Sequence, residues 1–386
     1  MPKRRRCRGI AVIAAGNFAF FLLFVSSRAQ TPSAAQLDGI FSKVVAAPNQ
    51  PGVAVLVRQN GRTLFERGYG MRDLRSNLPI DARTNFRLAS CSKQFTAMAI
   101  MLLVHDGKLR YEKTLKDIFP EFPAYGRTIT VRNLLNHTSG LIAYEDLMDK
   151  VYAGKEWYEI PQTTYAQVLA LAEKQTGTKF PPGTKWEYSN GGYCILAMIV
   201  EKVSGIPFPK FLQQRIFAPL HMDHTVAHVY GQDVIANRAY GYTNDSGVWL
   251  ETDQGPTSAT LGDGGIYSSL DDLAKWDDAL RNHTLLSAAE FQPAITPENS
   301  AAVSPAAVDD LPKAAAANAP PLAYGFGWFL DPYRGHARMW HYGSTIGFHS
   351  IIERFTKDNL SIIVLSNRTD VDLAALTLRA ADLHLH

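Results

Sequence analysis

Strand-like patterns stand near both ends of this chain and helical patterns fill the middle. Any sheet must therefore be assembled from segments far apart in sequence. Gly52 to Val57, a turn at Asn60-Gly61, and Thr63 to Tyr69 read as a β-hairpin. Strand signals return in Tyr324 to Leu330, Arg338 to His341, Phe348 to Phe355 and Leu360 to Ser366, and a helix is expected from Val371. A short helix is expected over Ala34 to Val45. From Ser90 to about Glu290 the patterns are mostly helical, joined by Gly/Pro turns. The expectation is an α+β fold, an α/β sandwich in which one antiparallel sheet from both chain ends is flanked by helices and carries a mostly helical insertion. The sheet part would comprise 34–86 and 323–386, and the helical part 87–290. Residues 291–322, rich in Ala and Pro and containing Pro320-Pro321, read as an exposed loop.

The chain of 386 residues is 46% hydrophobic and 19% charged, an ordinary balance for a globular enzyme. Its net charge of +3 comes partly from the first eight residues, so nothing marks a nucleic-acid binder. Lys3-Arg4-Arg5-Arg6, the apolar stretch Ile10 to Val25 and the small residues at Ser27 and Ala29 read as a signal peptide over 1–29, cleaved after Ala29. An uncleaved anchor is the other reading, because the apolar run is near the lower limit for a span. Either way the remainder, 30–386, is expected to be exported, periplasmic or secreted, with no stable membrane span after cleavage. Cys7 follows arginines rather than an apolar run and is not a lipoprotein cysteine. Only Cys91 and Cys194 remain in the exported part, and they read as buried thiols rather than a disulfide framework.

Chemistry concentrates in three places. Ser90-Cys91-Ser92-Lys93 opens the apolar helical run Gln94 to Val104, which Asp106-Gly107 closes. Residues three apart on a helix share a face, so Lys93 reaches the Ser90 hydroxyl. A desolvated lysine with a lowered pKa can take the serine proton, and the helix start supplies N–H groups for an oxyanion. Cys91 is rotated about 100° off that face and is not the nucleophile. The second place is Tyr188-Ser189-Asn190, between the Pro181-Pro182-Gly183 turn and a helix. There Tyr188 can relay a proton if a neighbouring lysine lowers its pKa, and the Asn190 amide can hold a substrate carbonyl. Tyr242-Thr243-Asn244 repeats the spacing but sits in a hairpin. The third is Trp340-His341-Tyr342-Gly343-Ser344, a strand with a histidine and a glycine that lets a substrate backbone approach.

S-x-x-K, then Y-S-N, then H-x-G, in this order, resembles the serine β-lactamase and penicillin-binding-protein superfamily. The similar branch is the class C-type group of D-Ala-D-Ala carboxypeptidases, class C β-lactamases and family VIII esterases. Phe86 to Ala89, Leu134 to Leu141 and Gly262 to Ser268 look like landmarks of the same family, and the resemblance covers roughly residues 34–386. It implies that Ser90 becomes an acyl-enzyme, that Lys93 and Tyr188 share the proton work, and that the N–H groups of Ser90 and Ser344 form an oxyanion hole. Asn190 would orient the substrate, and His341 stands where the family carries Lys, His or Trp. β-Lactamases usually have Lys-Thr-Gly or Lys-Ser-Gly at the third motif. His341 and the bulkier Tyr342 depart from that and suit a peptidase or esterase.

The expected function is thus an exported serine hydrolase acting on an amide or ester. A class C-type β-lactamase and a penicillin-binding sensor with little turnover are the alternatives. The partner would be a small-molecule or peptide substrate, cell-wall-derived material among the candidates, with no cofactor and no nucleic acid. His221, His224 and His228 have a spacing that suits a metal. No convincing set of acidic or cysteine ligands accompanies them, and they read as a turn, with no metal expected. An α/β-hydrolase would need a G-x-S-x-G elbow, which is absent from the sequence.

Overall fold

The computed structural model describes Met1 and residues 34–232, 234–297 and 323–385. The expected signal peptide therefore lies outside the described residues, as do positions 298–322 of the expected loop. The start of that loop is structured instead. Phe291 ends the helix Ala288–Phe291, and Gln292–Ile295 forms a 3₁₀ turn that buries Ala294.

Seven strands make one antiparallel sheet. Its order is Ala323–Tyr324, Phe329–Leu330, Arg338–Thr345, Phe348–Phe355, Leu360–Ser366, Val53–Gln59 and Arg62–Tyr69. The N-terminal hairpin thus joins the later strands by pairing Val53–Gln59 with Leu360–Ser366. Asn60 and Gly61 both have positive φ (53° and 75°), the two left-handed residues that a tight hairpin turn requires.

Both faces of the sheet are covered, which is why its central strands read as continuous apolar runs rather than alternating ones. On one face Val55, Val364, Ile351 and Tyr342 lie in one cross-strand row and pack with Leu37, Phe41, Leu373 and Leu378 of the flanking helices Ala34–Phe41 and Leu373–Ala381. The next row, Leu56, Ile363, Ile352 and His341, faces the helical region.

At the centre of that region the helix Lys93–His105 is apolar almost all round, and it is buried at every position from Lys93 to Leu103. Trp276, on the helix Leu270–Asn282, packs on Phe95 with ring centroids 4.5 Å apart and donates to Gln94 at 3.0 Å. Asp277 of the same helix anchors it to the sheet, taking Arg58 at 3.0 Å, Arg354 at 2.9 Å and the Ser361 hydroxyl at 2.5 Å. The region also holds a three-stranded sheet, Phe86–Arg87, Ile266–Ser268 and Val226–Ala227, and the hairpin Tyr242–Asp245 with Val248–Glu251. Among the described residues no helix is long and apolar enough to cross a membrane.

Candidate active site

Ser90 sits in a 3₁₀ turn, Ala89–Ser92, that runs directly into the helix Lys93–His105. The sequence pattern suggests one continuous helix, but the first turn is tighter. In a 3₁₀ turn residues three apart eclipse, which aims Lys93 still more directly at Ser90. Ala89 carries a φ of +46°, a left-handed conformation costly for a residue with a Cβ, of order 1–3 kcal/mol. The strain is held in place from both sides. The Leu88 N–H donates to Ile266 at 2.8 Å, and the Leu88 carbonyl accepts the Ser350 hydroxyl at 2.6 Å.

The strand Arg338–Thr345 packs against this turn. A Cβ at Gly343 would run into the Leu88 carbonyl oxygen and the Ser350 hydroxyl, so glycine is what lets the strand come close. Cys91 points away from the serine, its Sγ donating to the His341 carbonyl at 3.2 Å, and burial pushes its thiol up to about 12. Cys91 and Cys194 are both buried and free, as the sequence suggests.

Lys93 is fully buried, and its Nζ lies 3.0 Å from Ser90 Oγ, 2.9 Å from Asn190 Oδ1 and 2.8 Å from the carbonyl oxygen of Asp263. The orientation of the Asn190 amide is set by its other end, where Nδ2 donates to Glu145 Oε1 at 3.0 Å. Two of the three lysine contacts are therefore pure acceptors. A neutral Lys93 spends its two protons on Asn190 and Asp263, and its lone pair falls to the Ser90 hydroxyl. Burial brings the ammonium down to about 8, against the opposing pull of Asp263, Cys194 and Glu145.

The Tyr188 ring centroid is 4.9 Å from Lys93 Nζ, which itself holds Ser90 Oγ at 3.0 Å. Contrary to a lysine-lowered phenol, burial pushes Tyr188 far above the usual tyrosine value, so the resting phenol is protonated. Ser189 caps the helix Asn190–Ser204, its hydroxyl accepting the Gly192 N–H at 3.1 Å, which places Asn190 in the first helical turn.

His341 lies in the same cluster, its ring centroid 6.2 Å from that of Tyr188, but both its nitrogens are engaged. Nδ1 is 2.6 Å from the Tyr342 carbonyl, which can only accept, so Nδ1 carries the proton and Nε2 accepts the Tyr324 hydroxyl at 2.9 Å. Burial and the nearby Lys93 take its pKa down to about 3, which makes it a neutral spacer at ordinary pH. The Tyr342 ring packs with Phe329 and Trp340 and stacks on the His341 ring, centroids 6.2 Å apart. Ser344 is partly exposed on the next turn of the strand, opposite His349.

Four contributors carried no role in the sequence reading. The Asp263 carbonyl, Glu145, His137 and Tyr324 all act across long sequence separations. Asp263 and His137 fall inside landmark stretches, while Glu145 and Tyr324 carry no motif. The three histidines of the metal-like spacing are dispersed in role. His221 bends a turn at φ +55°, His224 donates its N–H to Asp272, and His228 is buried against Tyr267. Among the described residues no cluster of side chains fits a metal ion.

An antiparallel sheet with helices on both sides, and a serine and lysine one turn apart at its junction with the helical region, defines the serine β-lactamase and penicillin-binding-protein fold. The Beta-lactamase family model matches residues 37–385, and the chain belongs to that family. It is 31% identical to penicillin-binding protein 4* of Bacillus subtilis (strain 168) over 344 residues, 85% of this chain and 71% of the relative. Among solved structures, the octameric penicillin-binding protein homologue from Pyrococcus abyssi aligns with a TM-score of 0.74 at 25% identity, covering 90% of this chain and 76% of the other. The D-amino acid amidase from Ochrobactrum anthropi SV3, complexed with L-phenylalanine amide, aligns with a TM-score of 0.71 at 27% identity, covering 90% and 96%.

Proposed function

We propose that the protein is an exported serine hydrolase that cleaves an amide or ester through an acyl-enzyme on Ser90. The observation that carries this reading is the Lys93 amine, buried and donating to two acceptors, with its remaining valence directed at the Ser90 hydroxyl. Lys93 takes the serine proton as Ser90 Oγ bonds to the substrate carbonyl carbon. The oxyanion is received by the N–H groups of Ser90 and Ser344. The C–N or C–O bond then breaks, the Tyr188 phenol protonates the leaving group, and the proton held on Lys93 restores the phenol. Water, deprotonated by the same pair, attacks the ester and returns Ser90. Asn190 orients the substrate while fixing Lys93.

Glu145, bonded to Asn190 Nδ2 at 3.0 Å, braces the amide that holds Lys93. Peptidase-, amidase- or esterase-type substrates rank ahead of β-lactams because of the third motif. At the third motif the neutral, doubly engaged His341 offers no cation for a β-lactam carboxylate. The basic and apolar stretch within residues 1–29 supports export.

The test is a panel of D-amino acid amides, D-Ala-D-Ala peptides, short-chain nitrophenyl esters and a chromogenic cephalosporin, run on wild type and Ser90→Ala. Turnover of amides or esters that disappears in Ser90→Ala is the expected result. Failure of a fluorophosphonate or a penicillin to leave an adduct on Ser90, in protein shown to be folded, would sink the acyl-enzyme reading.

A further inference from the structure

We propose that His137 is the positioning residue that fixes Tyr188 and Asn190 for proton transfer at Ser90, an inference that rests on the acyl-enzyme reading above. His137 lies outside the three motifs, in the turn that closes the short helix Val131–Leu135. Its backbone and its ring reach the same target. The His137 carbonyl accepts the N–H of Glu187 at 3.0 Å, and its Nδ1 accepts the N–H of Ser189 at 3.1 Å. The amides on either side of Tyr188 are thus both bound to one residue, and the His137 ring lies 4.4 Å, centroid to centroid, from the Tyr188 ring. Ser189 in turn caps the helix that begins with Asn190. One residue therefore sets the position of the phenol on one side and the amide on the other.

His137 is itself held firmly. Its φ of +61° is left-handed, and the turn is stitched by the Thr138 N–H to Asn133 at 2.8 Å and the Thr138 hydroxyl to Asn136 at 2.7 Å. Its ring also lies 4.5 Å from that of Tyr324, whose hydroxyl fixes His341, so the same side chain adjoins the third motif.

Stability alone does not explain a histidine here. Because Nδ1 accepts from an amide, the ring proton sits on Nε2. Among the described residues Nε2 is buried without a hydrogen-bond partner, and the ring is enclosed by Trp186, Tyr188, Tyr193 and Tyr324. A buried orphan donor is destabilising, so a phenylalanine of similar shape would avoid that cost. What phenylalanine cannot do is accept the Ser189 N–H. The acceptor is the reason for the imidazole.

Two variants separate the roles. His137→Phe keeps the ring and removes the acceptor. His137→Asn places an amide oxygen near the Nδ1 position and tolerates the left-handed backbone. Both are checked for folding by circular dichroism and thermal midpoint, then assayed for the single-turnover acylation rate with a nitrophenyl ester. The expected result is a loss of about 10²-fold in the acylation rate for His137→Phe, with the ester's dissociation constant little changed. His137→Asn should recover most of that loss. A His137→Phe protein that is folded and acylates at the wild-type rate overturns the proposal, as does a folded His137→Asn protein no better than His137→Phe. If wild type itself gives no Ser90 adduct, the functional reading fails separately, and ¹⁵N NMR still decides the contact. An unprotonated His137 Nδ1 with a slowly exchanging Ser189 amide supports it, and a protonated Nδ1 refutes it.

Discussion

The Nζ of Lys93 stands 3.0 Å from the hydroxyl oxygen of Ser90, at the end of a side chain with no exposure to solvent. A buried amine beside a serine has one useful state, the neutral one, and its surroundings decide at which pH that state appears.

The first prediction concerns that pH. The lysine is a proton acceptor only when neutral, and burial sets its pKa at about 8. The acylation rate should therefore climb with pH and level off above about 8. Glu145 favours the ammonium, so Glu145→Gln should move the rising limb to lower pH. A pH series of burst kinetics on both proteins checks this, and an unmoved limb would mean that Lys93 is not the titrating base.

Gly343→Ala should loosen the grip of the strand Arg338–Thr345 on the nucleophile turn. The added methyl meets the Leu88 carbonyl and the Ser350 hydroxyl, one of them backbone that cannot yield cheaply. The expected cost is about 1–3 kcal/mol of stability, with a larger loss in acylation than in thermal midpoint. Urea unfolding and burst kinetics on the same preparation measure both.

Asp277→Ala tests the joint between helix and sheet. It takes the carboxylate from buried Arg354 and leaves Arg58 with Asp278 alone, a cost near the lower end of the roughly 3–5 kcal/mol for breaking a buried pair. A shift of the urea midpoint well below wild type, with acylation intact at low temperature, is the expected pattern. A midpoint equal to wild type would show that the arginines find other partners.

Acid stability should carry the mark of His341. Its pKa is about 3 in the folded protein against an ordinary 6.5, so the unfolded chain binds a proton that the folded one refuses. The contribution is present in full above about 6.5 and is lost as the pH falls toward about 3. Burial likewise depresses His137, so the loss has two sources. His341→Gln should unfold with a shallower dependence on pH across that window, measured as urea midpoints at stepped pH.

The sheet from both chain ends was legible because hairpin and strand patterns stand apart from the helical middle. The Ser90–Lys93 contact was legible because it is local. The contacts that tune Lys93 were only half legible: the Asp263 contact is a backbone carbonyl with no signature in residue type, and Asn190, marked by its motif, was expected to hold substrate rather than the lysine. The expected lysine-lowered phenol failed for a different reason. Desolvation of Tyr188 outweighs the neighbouring amine, and the extent of burial cannot be read from a tripeptide.

The pairing of Val53–Gln59 with Leu360–Ser366 has a consequence in time. Gly52 donates its N–H to the side chain of Asn367 at 2.8 Å, across 315 positions of chain. While the polypeptide is being synthesised, the hairpin Val53 to Tyr69 waits with a bare edge and the nucleophile turn with no strand against it. The wall behind Ser90 is therefore set only when the later strands of the sheet pair with that hairpin.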